Sequence, residues 1–292
     1  MSSYFLKPKH GTITQGTIFN CAISEQYDGC KVYGLIITAR CDIEQSKIPV
    51  VNYLPIVSFD DWIHHDGREI ICKRLIQSNL GKMRSCLKSA GIADTLLLTE
   101  TPGQILSTLL QNQGANKKIS NAATRFKDLI DERHSIDKCL SSNPSEYLFL
   151  NIVDIFPKDR EALIKELISD KLNGFYFLRS SIPDSENEGF VVLVREVQRL
   201  PWDIAERLAS GLTANEYNEL STSNPRSSSC LCFEFDNFAM PLALLSSPYI
   251  EHLLQTFSLT FCRIGLPDLH HSYLDNLWQT QPSVSGAKKC AS

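Results

Sequence analysis

The stretch Lys31-Val-Tyr-Gly-Leu-Ile-Ile-Thr38 is followed, after a short loop, by Val50-Val-Asn-Tyr-Leu-Pro-Ile-Val57, and together these two stretches decide the fold. Short apolar runs rich in β-branched and aromatic residues are typical of strands, and Leu35-Ile36-Ile37 is apolar enough for a central one. Residues 11–19 alternate short polar and β-branched side chains, which predicts a preceding strand. Because proline cannot donate to a sheet, Pro55 predicts an edge or a bulge.

Outward from these strands, the period of the sequence changes at Ser58. Ser58 precedes Asp60 and Asp61, which is the pattern of a helix N-cap followed by acidic residues in the first turn. Apolar residues at helical spacing then predict three longer helices, over 68–89, over 102–112 after the start Thr101-Pro102, and over 117–140. Residues 58–141 are therefore expected to form a helical block.

The rest of the chain mixes strands and helices. The pattern predicts strands at 147–156, 175–178, 190–197 and 231–236. Helices are predicted at 157–171, 201–211, 213–220, 248–261 and 268–278. Three strands alone make a marginal sheet, so those before Ser58 need partners from this later part.

We therefore predict a single α+β fold. A small bent antiparallel sheet or barrel would carry an inserted helical block and C-terminal helices. Its parts would be a β-rich region 1–57, the helical insertion 58–141, an α+β part 142–279 that completes the sheet, and a flexible tail 280–292. Two independent domains divided near Ser142 are the alternative.

The composition supports a folded chain. The 292 residues carry a formal charge of −4, with 43% hydrophobic and 21% charged side chains, which excludes disorder, collagen and coiled coil as the dominant state. No apolar run reaches the roughly 20 residues of a membrane span, and the N-terminus lacks the pattern of a secretory leader. We expect a soluble cytoplasmic protein. Its ten cysteines include no C-x-x-C pair and are expected to be structural thiols.

Four short motifs resemble a known family. Gly11-Thr-Ile13, Gly16-Thr-Ile-Phe19, Gly34-Leu-Ile-Ile37 and Tyr53-Leu-Pro-Ile-Val57 follow one another as in the small SH3-like barrels of the MazF/PemK family. The resemblance covers about a sixth of the chain and implies a shared small-barrel shape. It does not extend to that family's ribonuclease activity, because Val32-Tyr33 stands where the family has Arg-Pro.

The sharpest candidate for catalysis is the loop after the first apolar strand. It holds four candidate catalytic residues, Arg40, Cys41, Asp42 and Glu44. Arg40 would lower the pKa of the neighbouring Cys41 thiol. Asp42 and Glu44 would share one face of an extended segment and so hold a metal or orient a base. Lys47 fits either this site or the alternative, which is a solvated turn with a structural cysteine.

The candidate for partner binding is a basic segment of the first long helix. Residues 68–88 contain six basic residues and one acidic residue, Glu69, which gives this segment a formal charge of +5 inside an acidic chain. They are Arg68, Lys73, Arg74, Lys82, Arg84 and Lys88. Such a helix can meet phosphate groups or an acidic protein. The alternative is an ordinary solvated face.

A zinc set from His64, His65, Asp66, Cys72 and Cys41 is a weaker hypothesis, because adjacent histidines on a helix point in different directions. No cofactor-binding motif is present. We therefore expect a cytosolic binding or regulatory protein that engages a protein or nucleic-acid partner through the basic block, without metal, cofactor or membrane. The alternative is a hydrolase, possibly a nuclease, that uses the loop 40–44. The sequence leaves open the oligomeric state and whether the chain is an enzyme.

Overall fold

The computed structural model describes residues 3–45, 48–112, 117–141, 157–183, 189–223 and 229–261. They form an α+β fold in which helices pack on a curled, half-barrel antiparallel sheet, as the sequence predicts. The strands are β1 (Phe5–Leu6), β2 (Thr17–Phe19), β3 (Tyr33–Ile36), β4 (Val50–Ser58), β5 (Phe175–Leu178), β6 (Phe190–Leu193), β7 (Gln198–Pro201), β8 (Leu212–Thr213), β9 (Phe238–Ala239) and β10 (Pro241–Leu245). The helices are α1 (Arg40–Glu44), α2 (Phe59–Trp62), α3 (Arg68–Ser89), α4 (Leu96–Thr99), α5 (Pro102–Gln111), α6 (Lys117–Ser141), α7 (Pro157–Ile168), α8 (Trp202–Ser210), α9 (Ala214–Ser223) and α10 (Tyr249–Phe261).

The main sheet combines strands from before and after the helical block. Its order is β1-β10-β2-β3-β4-β6-β5, and β7 also pairs with β4. All these pairs are antiparallel. The predicted hairpin of β5 and β6 is present, although β6 ends at Leu193 rather than at 197. Strands β2 and β4 take partners from the later part of the chain, as predicted, and β3 lies between them.

Two cores lie on opposite faces of the sheet because side chains alternate along each strand. Along β3, Ile36 enters the core that packs against α3 and α8, whereas Leu35 enters the core that packs against α10. Along β4, Val57 and Ile56 divide in the same way. The two stretches that decide the fold are thus buried on both faces.

The prediction that Pro55 marks a sheet edge is wrong. Pro55 pairs with Gly34 in the interior of the sheet. On its other side, β4 changes partner, because Val50–Tyr53 pair with β7 and Ile56–Ser58 pair with β6. Pro55 falls in the gap between those two ladders, where the strand needs no amide donor.

Two further predictions are wrong. Residues 231–236 are not a strand. The strands in this region are β9, which pairs with β8, and β10, which pairs with β2, and both follow residue 236. The loop after β3 contains the short helix α1, so Asp42 and Glu44, two residues apart on a helix, do not share a face. The predicted strand 147–156 and helix 268–278 lie outside the described residues.

The helical block begins and ends its helices as the sequence predicts. The Ser58 side chain accepts a hydrogen bond from the Asp61 amide at 2.9 Å, and Thr101 with Gln104 forms a capping box at the start of α5. A π-helical turn, Ile63–Gly67, joins α2 to α3. The distal part of α3 packs with α5 and α6 around a third core that includes Leu87, Leu109 and Phe126.

Candidate functional site

A cleft of about 800 Å³ opens where the N-terminal segment meets α1, α8 and the end of β10. Its lining residues come from four segments of the chain that are far apart in sequence. They are Leu6–Lys9, Gly11–Thr14 and Thr17; Arg40, Ile43 and Glu44; Trp202, Glu206 and Ala209; and 244–247. This volume is within the range of pockets that hold small ligands.

Helix α1 brings part of the predicted catalytic loop to this cleft. Ile43 is buried in the main core and anchors the helix there. Arg40 and Glu44 are four residues apart, so both lie on the side of α1 that lines the cleft. Cys41 and Asp42 are exposed and do not line it, and the Cys41 thiol lies 3.6 Å from the Asp42 carboxylate. The structure therefore brings together two of the four predicted catalytic residues; Lys47 lies outside the described residues.

The N-terminal segment forms the opposite wall and is attached to the rest of the fold by two sets of backbone hydrogen bonds. Strand β1 pairs with β10, and the amide of Gly11 donates to the carbonyl of Ala209 at 3.0 Å. Around Gly11, the hydroxyl of Thr12 donates to the carbonyl of Lys9 at 3.0 Å, which closes a tight turn. These bonds hold Lys7 and Lys9 at the cleft.

Helix α8 supplies the floor. Trp202, Glu206 and Ala209 recur at helical spacing and line the cleft along one face of the helix. The amide of Trp202 donates to the carbonyl of Pro49 at 3.1 Å, which fixes the start of α8 against β4. Ile13 and Ile43 add apolar surface. Sequence reasoning missed this face, although the 202, 206, 209 spacing was visible within a predicted helix.

The cleft carries positive charge that is not neutralised by ion pairing. Lys7, Lys9 and Arg40 are exposed, and no ion pair among the described residues uses them. Two carboxylates, Glu44 and Glu206, also line the cleft, so its formal charge is +1. Apolar surface from Trp202, Ala209 and Ile13 with cations around it suits an anionic ligand that also has an apolar part.

The basic residues of α3 are placed differently. Four of them make ion pairs within the fold, and Arg68 is only 8% exposed. The pairs are Lys73 with Glu69, Arg74 with Glu166 at 2.6 Å, Lys82 with Glu132 at 2.9 Å, and Lys88 with Asp94 at 3.1 Å. Within the described residues, the exposed Arg84 has no ion pair. The predicted +5 surface is therefore largely matched by acids from neighbouring turns and helices.

The region of the hypothetical zinc set holds a network of hydrogen bonds instead. The Tyr27 hydroxyl donates to Asp66 at 2.5 Å, and the His65 ring stacks on Tyr27 with centroids 4.6 Å apart. Cys30 lies 3.9 Å from Nε2 of His65, and burial followed by the nearby Asp61 carboxylate raises the pKa of this thiol to about 11. Burial lowers the pKa of His65 and raises that of Asp66. A protonated thiol beside a neutral imidazole is not an activated nucleophile.

In the part of the chain that the structure describes, no group of three or more His, Cys, Asp or Glu side chains is arranged to hold a metal ion. None of the helices described there is long and apolar enough to cross a membrane. No known protein family, curated protein or solved structure matches this chain. The resemblance to the MazF/PemK barrels therefore stays a prediction.

Proposed function

We propose that the protein is a binding protein whose partner is a single-stranded nucleic acid, held in the cleft between the N-terminal segment, α1 and α8. The observation that carries this proposal is the set of three exposed cations, Lys7, Lys9 and Arg40, which make no ion pairs within the described residues and line the same cleft as Trp202. Proteins that hold single strands combine cations that follow the phosphates with aromatic side chains on which bases stack. Trp202 on the floor offers such a face.

The proposal keeps the predicted class of partner but moves its binding site. On α3 the basic side chains already have carboxylate partners, and a phosphate would have to displace them. At the cleft a phosphate displaces no carboxylate from Lys7, Lys9 or Arg40. Each phosphate contact there therefore adds the affinity that comes from counterion release. The hydroxyl of Thr14 adds a hydrogen-bonding group on the N-terminal wall.

The test is fluorescence anisotropy with a fluorescein-labelled single-stranded RNA and the matching DNA at low salt. The triple variant Lys7→Ala, Lys9→Ala, Arg40→Ala should weaken binding at least tenfold and reduce the salt slope by about 2, since each phosphate contact on a single strand contributes roughly 0.7. A control variant removes the same charge from ion-paired positions, Lys73→Ala, Lys88→Ala and Lys165→Ala.

Equal losses in the two triple variants would show that only the total charge matters and would overturn the proposal. A loss confined to a variant that lacks Arg74, Lys82 and Arg84 would return the binding site to α3. Absence of binding to either strand by the unchanged protein would also overturn it.

A hydrolase remains the second candidate, because two carboxylates from different helices, Glu44 and Glu206, line the same cleft. A positioned carboxylate acts as a general base when a water or hydroxyl lies within hydrogen-bond reach. If bound RNA is cleaved, Glu44→Gln and Glu206→Gln should stop cleavage while anisotropy still reports binding. Cleavage that survives both changes would exclude these carboxylates.

A further inference from the structure

Helices α3 and α6 pack antiparallel, so the start of α3, with Cys72, meets the end of α6, with Cys139. Residues with lower numbers on α3 contact residues with higher numbers on α6. The Cys86 thiol meets the carbonyl of Ala122 at 3.4 Å, and Asn79 donates to the carbonyl of Leu129 at 3.0 Å. Continuing this register brings the first turns of α3, which carry Cys72, to the last two turns of α6, which carry Cys139, and both residues lie in the same buried core. The two thiols are joined by a hydrogen bond.

The two thiols differ chemically because of that hydrogen bond, and a nearby cation acts on both. The hydrogen bond from Cys72 lowers the pKa of Cys139, and the same bond raises the pKa of Cys72. Arg68, one helical turn before Cys72, lowers the pKa of both thiols, and Asp137 raises that of Cys72. The thiolate of the pair is therefore favoured on Cys139, and the thiolate is the form that reacts with oxidants.

The pair is buried but lies close to a second cavity. Cys72 is fully buried, and Cys139 is 6% exposed. A cavity of about 490 Å³ is lined by Arg68 and by Leu140, the residue next to Cys139. A small uncharged oxidant that enters this cavity reaches the residue next to Cys139 in the chain.

We propose that Cys72 and Cys139 are a redox pair that hydrogen peroxide converts into a disulfide between α3 and α6. The Cys139 thiolate attacks one peroxide oxygen, the O–O bond breaks, and the departing hydroxide takes a proton to become water. The sulfur of Cys72 then attacks the sulfenic acid of Cys139; an S–S bond forms, and the proton of Cys72 leaves with the hydroxyl as a second water. Two thiols lose two electrons, and one peroxide is reduced.

The disulfide would join the first turns of α3 to the last turn of α6 and enclose the intervening helices in one covalent loop. Closing a long loop constrains the unfolded chain and so stabilises the fold. Cys86 lies on α3 and is also buried, but its thiol meets the backbone carbonyl of Ala122 on α6. It is therefore the matched control, with the same burial and no thiol partner.

The test treats the full chain with hydrogen peroxide at neutral pH, blocks remaining thiols with N-ethylmaleimide, and analyses tryptic peptides by mass spectrometry. We expect the peptide Glu69–Lys73 linked to the peptide Cys139–Lys158, and the link should disappear with dithiothreitol. The oxidised chain should melt roughly 5 °C or more above the reduced one. Cys86→Ser should retain the link, and Cys139→Ser should lose it while Cys72 stays alkylatable after unfolding.

Alkylation of both Cys72 and Cys139 after peroxide treatment of the folded, unchanged chain would overturn the proposal. So would sulfinic acid at Cys139 without the linked peptides. Both outcomes are read on the unchanged protein, so they do not depend on whether a serine variant folds.

Discussion

The guanidinium of Arg74 on α3 holds the carboxylate of Glu166 on α7 through two hydrogen bonds, of 3.0 and 2.6 Å. Two parallel N–H···O bonds fix both the distance and the orientation of the pair. The pair connects the helical block to a helix that follows it in the chain. Hydrogen bonding from Arg74 also lowers the pKa of Glu166 from its ordinary value of 4.5.

This pair should couple stability to pH. In a double-mutant cycle with Arg74→Ala and Glu166→Ala, we expect a coupling free energy of about 0.5–1 kcal/mol at pH 7, because both side chains are about one third exposed. A carboxyl whose pKa is lowered in the folded state contributes stability above its unfolded pKa and loses it as pH falls through the folded pKa. The coupling, measured by urea unfolding, should therefore fade below about pH 4.

The exposed pair Lys165–Glu161 is the control and should couple more weakly. The same coupling at pH 3 and pH 7 would contradict this prediction.

Two glycines should respond in opposite directions to alanine. A Cβ at Gly34 would lie 2.3 Å from Cζ of Phe19, which is completely buried, so the core would have to move. We expect Gly34→Ala to lower the free energy of unfolding by about 1–3 kcal/mol. A Cβ at Gly81, in the interior of α3, meets nothing within 4 Å, and Gly81→Ala should raise the free energy of unfolding by about 0.5–1 kcal/mol. Equal effects in denaturant titrations would show that close packing at Gly34 is not what requires glycine.

The helical block and Pro55 illustrate what the sequence could and could not predict. Helical periodicity and caps such as Ser58 act between near neighbours, so they predict the helical block from local residues alone. Pro55 required knowledge of two distant strands, because only the exchange of β7 for β6 leaves a gap in the ladder. The segment 231–236 alternates like a strand, but tertiary pairing selected β10, which follows it.

The sequence could likewise predict only some residues of the candidate site. Arg40 and Glu44 could be selected because they follow an apolar strand, where functional groups are often presented. Lys7, Lys9 and Trp202 carried no local pattern that points to a ligand. They become a site only because the Gly11–Ala209 bond and the pairing of β1 with β10 bring three distant segments together.

The half-buried carboxyl of Asp66 should give a pH dependence of the opposite sign to that of Glu166. Burial raises its pKa above its ordinary value of 3.8, against the hydrogen bond from Tyr27. A carboxyl with a raised folded pKa contributes stability below its unfolded pKa, and that stability is lost as pH rises through the folded pKa. We therefore expect Asp66→Asn, which retains an acceptor for Tyr27, to be more stable than the unchanged chain at pH 7. The difference, measured by thermal unfolding, should shrink towards pH 4.

The variant Tyr27→Phe serves as the companion to that experiment. It removes the hydrogen bond that lowers the pKa of Asp66, so the pH window should move upward rather than disappear. A flat pH profile for the unchanged chain would contradict the assignment of this dependence to Asp66.

Trp202 should report directly on the occupied cleft. It is half-buried on the cleft floor, whereas Trp62 is completely buried in the core. Titration with single-stranded RNA should quench tryptophan fluorescence in the unchanged chain, because a base stacks on the indole. Trp202→Phe should abolish most of this quenching but retain most of the affinity, since it keeps an aromatic face. Trp202→Ala should lose about 1–3 kcal/mol of binding free energy, the usual value of one base stacked on an aromatic side chain. If Trp202→Ala binds as well as Trp202→Phe, phosphate contacts alone hold the strand. If quenching persists without Trp202, the ligand lies elsewhere on the molecule.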